Sequence, residues 1–104
     1  MQRSALEGYR VVDMGRVLAG PMVGHLLADM GAEVIKVESH QRMDGLRLGR
    51  PIIGDDIAGS DEGKWPDMQP QFHTVNRNKR GITLDLKHPR GRSVLLDMIR
   101  VSDV

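Results

Sequence analysis

The feature that most constrains the fold is a strand, a glycine-containing turn, a helix and a second strand, all before residue 40. Residues 9–14 are mainly apolar and β-branched, which predicts a buried strand. Pro21 stands where proline is favoured, in the first turn of a helix, and Gly31 stands where glycine ends one. Residues 32–38 predict the second strand. This order has the length of a βαβ unit, so it predicts a parallel sheet with a right-handed crossover.

The helix of this unit places apolar side chains at helical spacing, which predicts one buried stripe. The stripe consists of Met22, Val23, Leu26, Leu27 and Met30. In parallel sheets, ligands bind beyond the carboxyl ends of the strands, near the first turn. The residues predicted at the mouth of such a site are Arg16, Val17, Leu18 and Gly20.

Two nucleotide-binding motifs are excluded in this turn. Gly15 and Gly20 have the spacing that opens a P-loop, but Pro21 and Met22 replace the lysine and the hydroxyl residue of that motif. The glycine triplet of nicotinamide-binding folds is also missing. Without those glycines, we expect Glu38 to be an exposed carboxylate at the end of a strand rather than a ribose ligand.

Composition indicates one small globular domain. The chain has 104 residues, of which 39% are hydrophobic and 28% are charged. The net charge of +1 argues against a nucleic-acid partner, because nucleic-acid-binding proteins have a clear basic excess. The chain has no cysteine, which excludes disulfides and thiolate metal sites. No signal peptide or membrane-spanning run is recognisable, so the sequence predicts a soluble, cytoplasmic protein with no membrane partner.

Residues 40–70 are rich in glycine and proline, which predicts an irregular insertion with at most a short helical turn. Two carboxylate pairs lie in it, Asp55 with Asp56 and Asp61 with Glu62. Neither pair has an accompanying histidine or metal-ligand spacing, and the four histidines of the chain are scattered. The sequence therefore predicts no metal site.

The segment at residues 76–87 carries four cations and one carboxylate. Arginine and lysine both bind phosphate, so these residues alone indicate either an anion site or a solvated basic loop before a strand. We predict a turn at Gly81 and a strand that closes on Lys87. His88 and Pro89 then begin a helix, whose predicted apolar stripe is Val94, Leu95, Met98 and Ile99. Residues 102–104 predict the start of a further strand.

Three segments, in order and at close spacing, resemble the class III CoA-transferases. The first is residues 6–21, which end in Val-Leu-Ala-Gly-Pro. The second is residues 27–38, and the third is residues 76–87, which contain Asn-Lys-Arg and Leu-Asp-Leu-Lys. The family includes formyl-CoA transferases, carnitine CoA-transferases and alpha-methylacyl-CoA racemases. The resemblance implies an α/β fold, a Rossmann-like parallel sheet with flanking helices. It also implies that residues 1–104 are the truncated N-terminal part of a CoA-binding domain.

The resemblance further implies that coenzyme A moves between an acyl-CoA and a carboxylic acid within an interlocked homodimer. An aspartate that forms an anhydride and a CoA thioester would lie beyond Val104, so no catalytic residue is assigned here. The implied cofactor-binding residues are Val17, Leu18, Leu84, Asp85, Leu86 and Lys87. Lys79 and Arg80 are added as cations for the CoA phosphates. Ser39 stands where some relatives place an arginine for the phosphates. Leu18 stands where formyl-transferring members carry glutamine, which argues against formyl or oxalyl specificity.

Three functions stay open on the sequence. The first is a CoA-transferase, of which this chain would be a fragment, because a sheet halted before its next strand leaves an open edge. The fragment alone would be inactive, because it lacks the nucleophilic aspartate. The second is an acyl-CoA racemase or epimerase of the same fold, with acid and base residues farther along the chain. The third is a nucleotide-binding or interaction module without chemistry.

Overall fold

The computed structural model describes residues 2–48, 67 and 69–104. Their elements in chain order are β1 (Arg10–Asp13), α1 (Ala19–Asp29), β2 (Glu33–Glu38), a short 3₁₀ helix (Gly45–Arg47), α2 (Pro70–Val75), β3 (Lys79–Thr83) and α3 (Pro89–Arg100). The 3₁₀ helix lies in the insertion, a segment for which the sequence predicts at most a short helical turn. The two carboxylate pairs of that insertion lie outside the described residues.

The three described strands form one parallel sheet in the order β1-β2-β3. Val11 of β1 lies opposite Val34 of β2, and Val37 of β2 lies opposite Ile82 of β3. The predicted βαβ unit and the α/β class are therefore confirmed. Because the strands are parallel, all three carboxyl ends meet at one edge of the sheet.

Helix α1 comes closest to the sheet at its small residues, and most of its large apolar side chains are exposed. Its buried residues are Pro21, Gly24, His25 and Ala28. The predicted stripe was wrong for Met22, Val23, Leu26 and Met30, which are all exposed. Gly24 and Ala28 lie one turn apart on the same face, so the helix backbone comes close to the sheet and the bulky side chains lie on other faces. The predicted end of the helix is confirmed, since Gly31 has φ +103° directly after it.

A compact apolar core lies between α1 and the sheet. It consists of Val11, Ala28, Ala32 and Val34, with Leu6 and Leu27 packed against it. Burial of each large aliphatic side chain contributes about 1.5–3 kcal/mol. The core therefore holds the first two strands and the helix as one unit.

Strand β3 begins earlier than predicted. It starts at Lys79 and ends at Thr83, and the four residues that were expected to complete it follow as a loop. The expected turn at Gly81 was wrong, because Gly81 pairs with Lys36 inside the sheet. A glycine in a strand is conformationally permissive, and the sequence pattern alone does not distinguish this case from a turn.

The last helix was predicted correctly in position, but its packing face is narrower than expected. Leu95 is the one buried residue of α3, while Val94 and Ile99 are exposed. After the helix, the N–H of Asp103 donates to the Arg10 carbonyl (2.9 Å), and the N–H of Val12 donates to the Val104 carbonyl (2.9 Å). These bonds join residues 103–104 to the edge of β1 that faces away from β2, although residues 102–104 are not themselves part of a described strand.

Candidate functional site

A cleft of about 360 Å³ opens at the carboxyl ends of the three strands. This volume lies within the range of small-molecule sites. The lining residues are Met14, Arg16, Val37, Glu38, Ser39, Gln41, Arg42, Asp44, Leu84, Asp85, Leu86 and Lys87. Every strand contributes residues at or just after its last position, so the cleft lies where a parallel sheet ordinarily binds its ligand.

The loop after β3 is held at the cleft by a hydrogen-bonded turn. The N–H of Lys87 donates to Asp85 Oδ1 (3.0 Å), and the N–H of His88 donates to the Asp85 carbonyl (3.1 Å). His88 Nδ1 then accepts from the N–H of Arg90 (3.1 Å) and caps α3. At Gly91 a Cβ would strike the Asp85 carbonyl, so this glycine lets α3 pack directly against the loop. Lys87 is thus fixed beside the cleft by its neighbours.

The turn after β1 is equally compact. Asp13 Oδ1 accepts from the N–H of Gly15 (2.7 Å). A Cβ on Gly15 would lie 2.8 Å from the Cα of Gly20, so the turn and the first residues of α1 approach each other too closely for side chains. Gly15 and Gly20, which have the spacing of an incomplete P-loop motif, therefore allow the turn to pack closely against the start of α1.

A buried ion pair that was not predicted from the sequence lies at the wall of the cleft, where Asp44 is one of the lining residues. Lys36 Nζ contacts Asp44 Oδ2 at 2.8 Å, and the two side chains are 2% and 0% exposed. Lys36 Nζ also donates to the Gly15 carbonyl (2.9 Å), and Asp44 Oδ1 accepts from the N–H groups of Val17 (2.9 Å) and Leu46 (3.0 Å). Burial raises the pKa of Asp44, but the bonds from Lys36 and from the backbone outweigh it, so the pKa lies below its ordinary value. No local sequence pattern predicts this pair, because in the sequence Lys36 is simply a polar residue of a predicted strand.

Glu38 is not the exposed carboxylate that we expected. It is 14% exposed, it accepts from Arg47 Nη2 (2.9 Å), and it accepts from the N–H of Asp44 (3.0 Å). The guanidinium of Arg47 lies 3.5 Å from the centroid of the Phe72 ring, which is a cation–π contact. Arg47 belongs to the 3₁₀ helix, Glu38 to β2 and Phe72 to α2, so this cluster joins both helices to the sheet. It also neutralises the carboxylate at the wall of the cleft.

The cleft presents an excess of positive charge among the residues that the structure describes. Arg16, Arg42 and Lys87 line it together with the carboxylates of Glu38, Asp44 and Asp85. Glu38 is paired with Arg47 and Asp44 with Lys36, which leaves three cations against the one carboxylate of Asp85. Arg16 Nη2 donates to the Met43 carbonyl (2.7 Å), and Lys87 is exposed. Such an arrangement attracts anions, and arginine and lysine together suit phosphate groups.

The other predicted site residues lie in different places. Val17 and Leu18 follow Arg16 directly and are exposed, but neither is among the residues that line the cleft. Arg80 lies near the amino end of β3, where Nη1 donates to Glu33 Oε1 (3.3 Å) and the side chain is 79% exposed. Arg80 is therefore separated from the cleft by the length of the strand.

Lys79 is directed inward rather than into the cleft. Its Nζ lies 2.6 Å from Asp13 Oδ2 and donates to the carbonyl of Pro21 and the side chain of Asn76 (both 2.8 Å). The Lys79 side chain is 2% exposed. Burial lowers the pKa of Lys79, and Asp13 opposes that effect only in part. This ammonium group joins β1, α1 and β3, so its position fits a structural role.

Within residues 2–48, 67 and 69–104, no group of three or more histidines or carboxylates lies close enough together to hold a metal ion. None of the described helices has the length and apolar character that crossing a bilayer requires.

The sequence of this chain matches a known protein family. The sequence profile of CoA-transferase family III matches residues 6–104. An acyl-CoA transferase of Fusarium pseudograminearum is 42% identical over 102 residues, which are 98% of this chain and 22% of that protein. A succinate–glutarate CoA-transferase of Agrobacterium fabrum is 39% identical over 103 residues, covering 99% of this chain and 24% of the relative. A formyl-CoA:oxalate CoA-transferase of a Bradyrhizobium species is 42% identical over 101 residues, covering 96% and 21%.

Solved structures agree with this assignment. A CAIB/BAIF family protein from Brucella suis superimposes with a TM-score of 0.75 and 35% identity, over 98% of this chain and 25% of that chain. Rv3272 from Mycobacterium tuberculosis, in its orthorhombic crystal form, gives a TM-score of 0.78 and 29% identity, over 96% and 25%. The chain thus spans about a fifth to a quarter of the length of these relatives.

Proposed function

This chain belongs to CoA-transferase family III, and we propose that it forms the CoA-binding part of an acyl-CoA:carboxylate CoA-transferase. In the intact protein, the CoA group passes from an acyl-CoA to a carboxylic acid through an anhydride and a CoA thioester on an aspartate beyond residue 104. Residues 1–104 make up the N-terminal part of the CoA-binding domain.

The observation that carries this proposal is the cationic cleft at the carboxyl edge of the sheet. Leu84, Asp85, Leu86 and Lys87, which the resemblance assigned to the cofactor, are consecutive residues of its lining. Arg16 reaches the same cleft from the turn after β1. Two segments separated by almost seventy residues of chain therefore face one ligand-sized space with the charge that phosphates require.

The chemistry of the lining gives each side of the cleft a task in the proposal. The apolar side chains of Leu84 and Leu86 pack against the adenine ring, and the cations Lys87 and Arg42 bind the CoA phosphates. Val17 and Leu18 stand beside the pantetheine chain. Arg42 adds a positive charge on the wall where Ser39 lacks one, three residues along the same loop. Lys79 and Arg80 are left out because Lys79 is buried against Asp13 and Arg80 lies near the amino end of β3, at the opposite edge of the sheet.

Transfer is favoured over racemisation by the named relatives. The acyl-CoA, succinate–glutarate and formyl-CoA:oxalate proteins are all named as CoA-transferases, and each matches nearly the whole chain. An acyl-CoA racemase of the same fold is the alternative. A nucleotide-binding module without catalytic activity is the third possible function.

Calorimetric titration of the intact protein with CoA tests the proposal. Lys87→Ala is expected to weaken CoA binding by about 1–3 kcal/mol, the scale of a lost hydrogen bond to a charged group. Arg80→Ala is a matched comparison, because it removes a cation that the sequence also predicted in the site but that lies at the other end of β3. Its expected cost is below about 0.5 kcal/mol.

Two results would contradict the proposal. The first is an intact protein that does not bind CoA. The second is equal loss of affinity from Lys87→Ala and Arg80→Ala, because a general loss of positive charge would then explain both. Incubation of the intact protein with an acyl-CoA and a second carboxylic acid distinguishes the activities: transfer yields a new acyl-CoA, whereas racemisation leaves the acyl group on its CoA.

We also propose that the intact protein is a homodimer located in the cytosol. The exposed apolar side chains of α1, including Val23 and Leu26, and Ile99 of α3 support burial against further protein. Light scattering of the intact protein is expected to give twice the mass of one chain.

A further inference from the structure

We infer that the buried pair Lys36–Asp44 is a positioning device that holds Val17 in a strained backbone conformation and so keeps the turn after β1 ready for its ligand. The inference rests on the proposed CoA site and extends it to two side chains that are almost fully shielded from solvent. Both are therefore positioning residues rather than binding residues.

The strain lies at Val17. Its φ is +66°, a left-handed conformation that β-branched side chains rarely adopt because Cβ crowds the backbone. Its side chain is 49% exposed, so packing does little to compensate. The other non-glycine residue with positive φ in the described chain is Asn78, a residue type that tolerates this region. Strain of this kind persists only where neighbouring groups hold it in place.

The neighbouring groups are the two ends of the ion pair. Asp44 Oδ1 accepts from the N–H of Val17 (2.9 Å), and Lys36 Nζ donates to the carbonyl of Gly15 (2.9 Å). The 2.8 Å contact between Lys36 and Asp44 connects these two bonds. The turn is therefore clamped on both sides of Arg16, the residue that reaches into the cleft.

Stability by itself is a weak explanation for a buried ion pair. Buried ion pairs can often be replaced by apolar residues of similar volume with no loss of stability, because the cost of removing both charges from water offsets their attraction. A clamp on a strained turn is a task that apolar side chains cannot perform, since they offer neither a donor nor an acceptor.

Release of the clamp is expected to reduce the fraction of molecules that have the competent turn. Apparent affinity falls in proportion to that fraction. Once the clamp is removed, Val17 relaxes from its positive φ, and the CoA affinity is expected to fall by about five- to 100-fold. Glycine has no Cβ and adopts positive φ without strain, so a glycine at position 17 should make the clamp unnecessary.

The test is a double-mutant cycle on CoA affinity in the intact protein, measured by calorimetry. The pair is replaced by Lys36→Met with Asp44→Leu, in the wild-type background and in the Val17→Gly background. We expect a loss of about five- to 100-fold in the wild type and at most about threefold in the Val17→Gly background. Asn78→Gly is the matched control: it also places glycine at a positive-φ position, but in the segment before β3, and there the pair replacement should keep its full effect.

A second measurement covers the case in which the replaced pair fails to fold. Val17→Gly alone should raise the urea midpoint of unfolding, because it removes strain at an exposed side chain. A lower midpoint would overturn the inference without any pair variant. Equal losses of affinity in both backgrounds of the cycle would overturn it too, since a purely structural pair acts independently of residue 17. If the wild-type protein itself does not bind CoA, the proposed function fails, whereas binding that is unaffected by the pair replacement rejects only the positioning role.

Discussion

Replacement of Gly24 by alanine tests whether α1 packs tightly over the buried ion pair of Asp13 and Lys79. Alanine in a helix interior is ordinarily favoured over glycine by about 1 kcal/mol. At position 24, however, the new Cβ would lie 2.7 Å from Asp13 Oδ2 and 3.1 Å from Lys79 Nζ. Both contacts are shorter than van der Waals distance, so either the helix or the ion pair must move.

The magnitude follows from the limited room around the pair. Asp13 and Lys79 are 5% and 2% exposed, so neither side chain can swing into solvent. Overpacking of a close contact costs about 1–3 kcal/mol. Weakening of the 2.6 Å bond from Lys79 to Asp13 adds part of the 1.5–3 kcal/mol typical of a charged hydrogen bond. After the gain in helix propensity, we expect Gly24→Ala to lower the free energy of unfolding by about 1–3 kcal/mol.

Equilibrium unfolding in urea measures this change. The control is Gly81→Ala, because a Cβ at Gly81 would meet nothing within 4 Å. That variant should leave the free energy of unfolding within about 0.5 kcal/mol or raise it slightly. If Gly24→Ala proves as stable as the wild type, the tight approach of α1 over the Asp13–Lys79 pair is refuted.

Two further predictions concern the cleft. Gly91→Ala should push α3 away from the Asp85 carbonyl and displace Lys87, so that CoA affinity falls about tenfold; unchanged affinity in a calorimetric titration would show that α3 does not position this loop. The folded-state pKa of Asp44 lies below its ordinary value of 3.8. As the pH falls through 3.8, Asp44 therefore takes up a proton more readily in the unfolded state than in the folded state, and the free energy of unfolding decreases. Asp44→Leu combined with Lys36→Met should flatten this acid limb in urea unfolding curves measured between about pH 5 and pH 2, and an identical limb in both proteins would contradict the assignment.

Local patterns in the chain were enough to predict the order of the elements. Pro21 and Gly31 mark the start and end of α1 because their backbone preferences act within a few residues, and His88 with Pro89 marks the start of α3 in the same way. The parallel arrangement followed from the length of the crossover. The resemblance to a family added the four residues after β3, which the structure brings to the cleft.

Packing faces were predicted poorly for a physical reason. Periodicity shows which face of a helix is apolar, but the buried face also depends on how closely the backbone can approach its neighbour. On α1 the closest approach is through Gly24 and Ala28, so the large side chains remain exposed. The position of β3 was misjudged for a similar reason, since Gly81 becomes a strand residue only because β2 lies beside it.

Residue types and short spacings therefore determine that this chain forms a parallel α/β sheet with a cationic segment near its third strand. Which charges stay in the site depends on contacts that no short pattern contains. Lys79 reaches Asp13 across 66 positions of sequence and is lost to the interior, whereas Lys87, eight residues later, remains at the cleft. A buried ammonium group needs a partner that compensates its lost hydration, and only the folded sheet brings that partner within bonding distance.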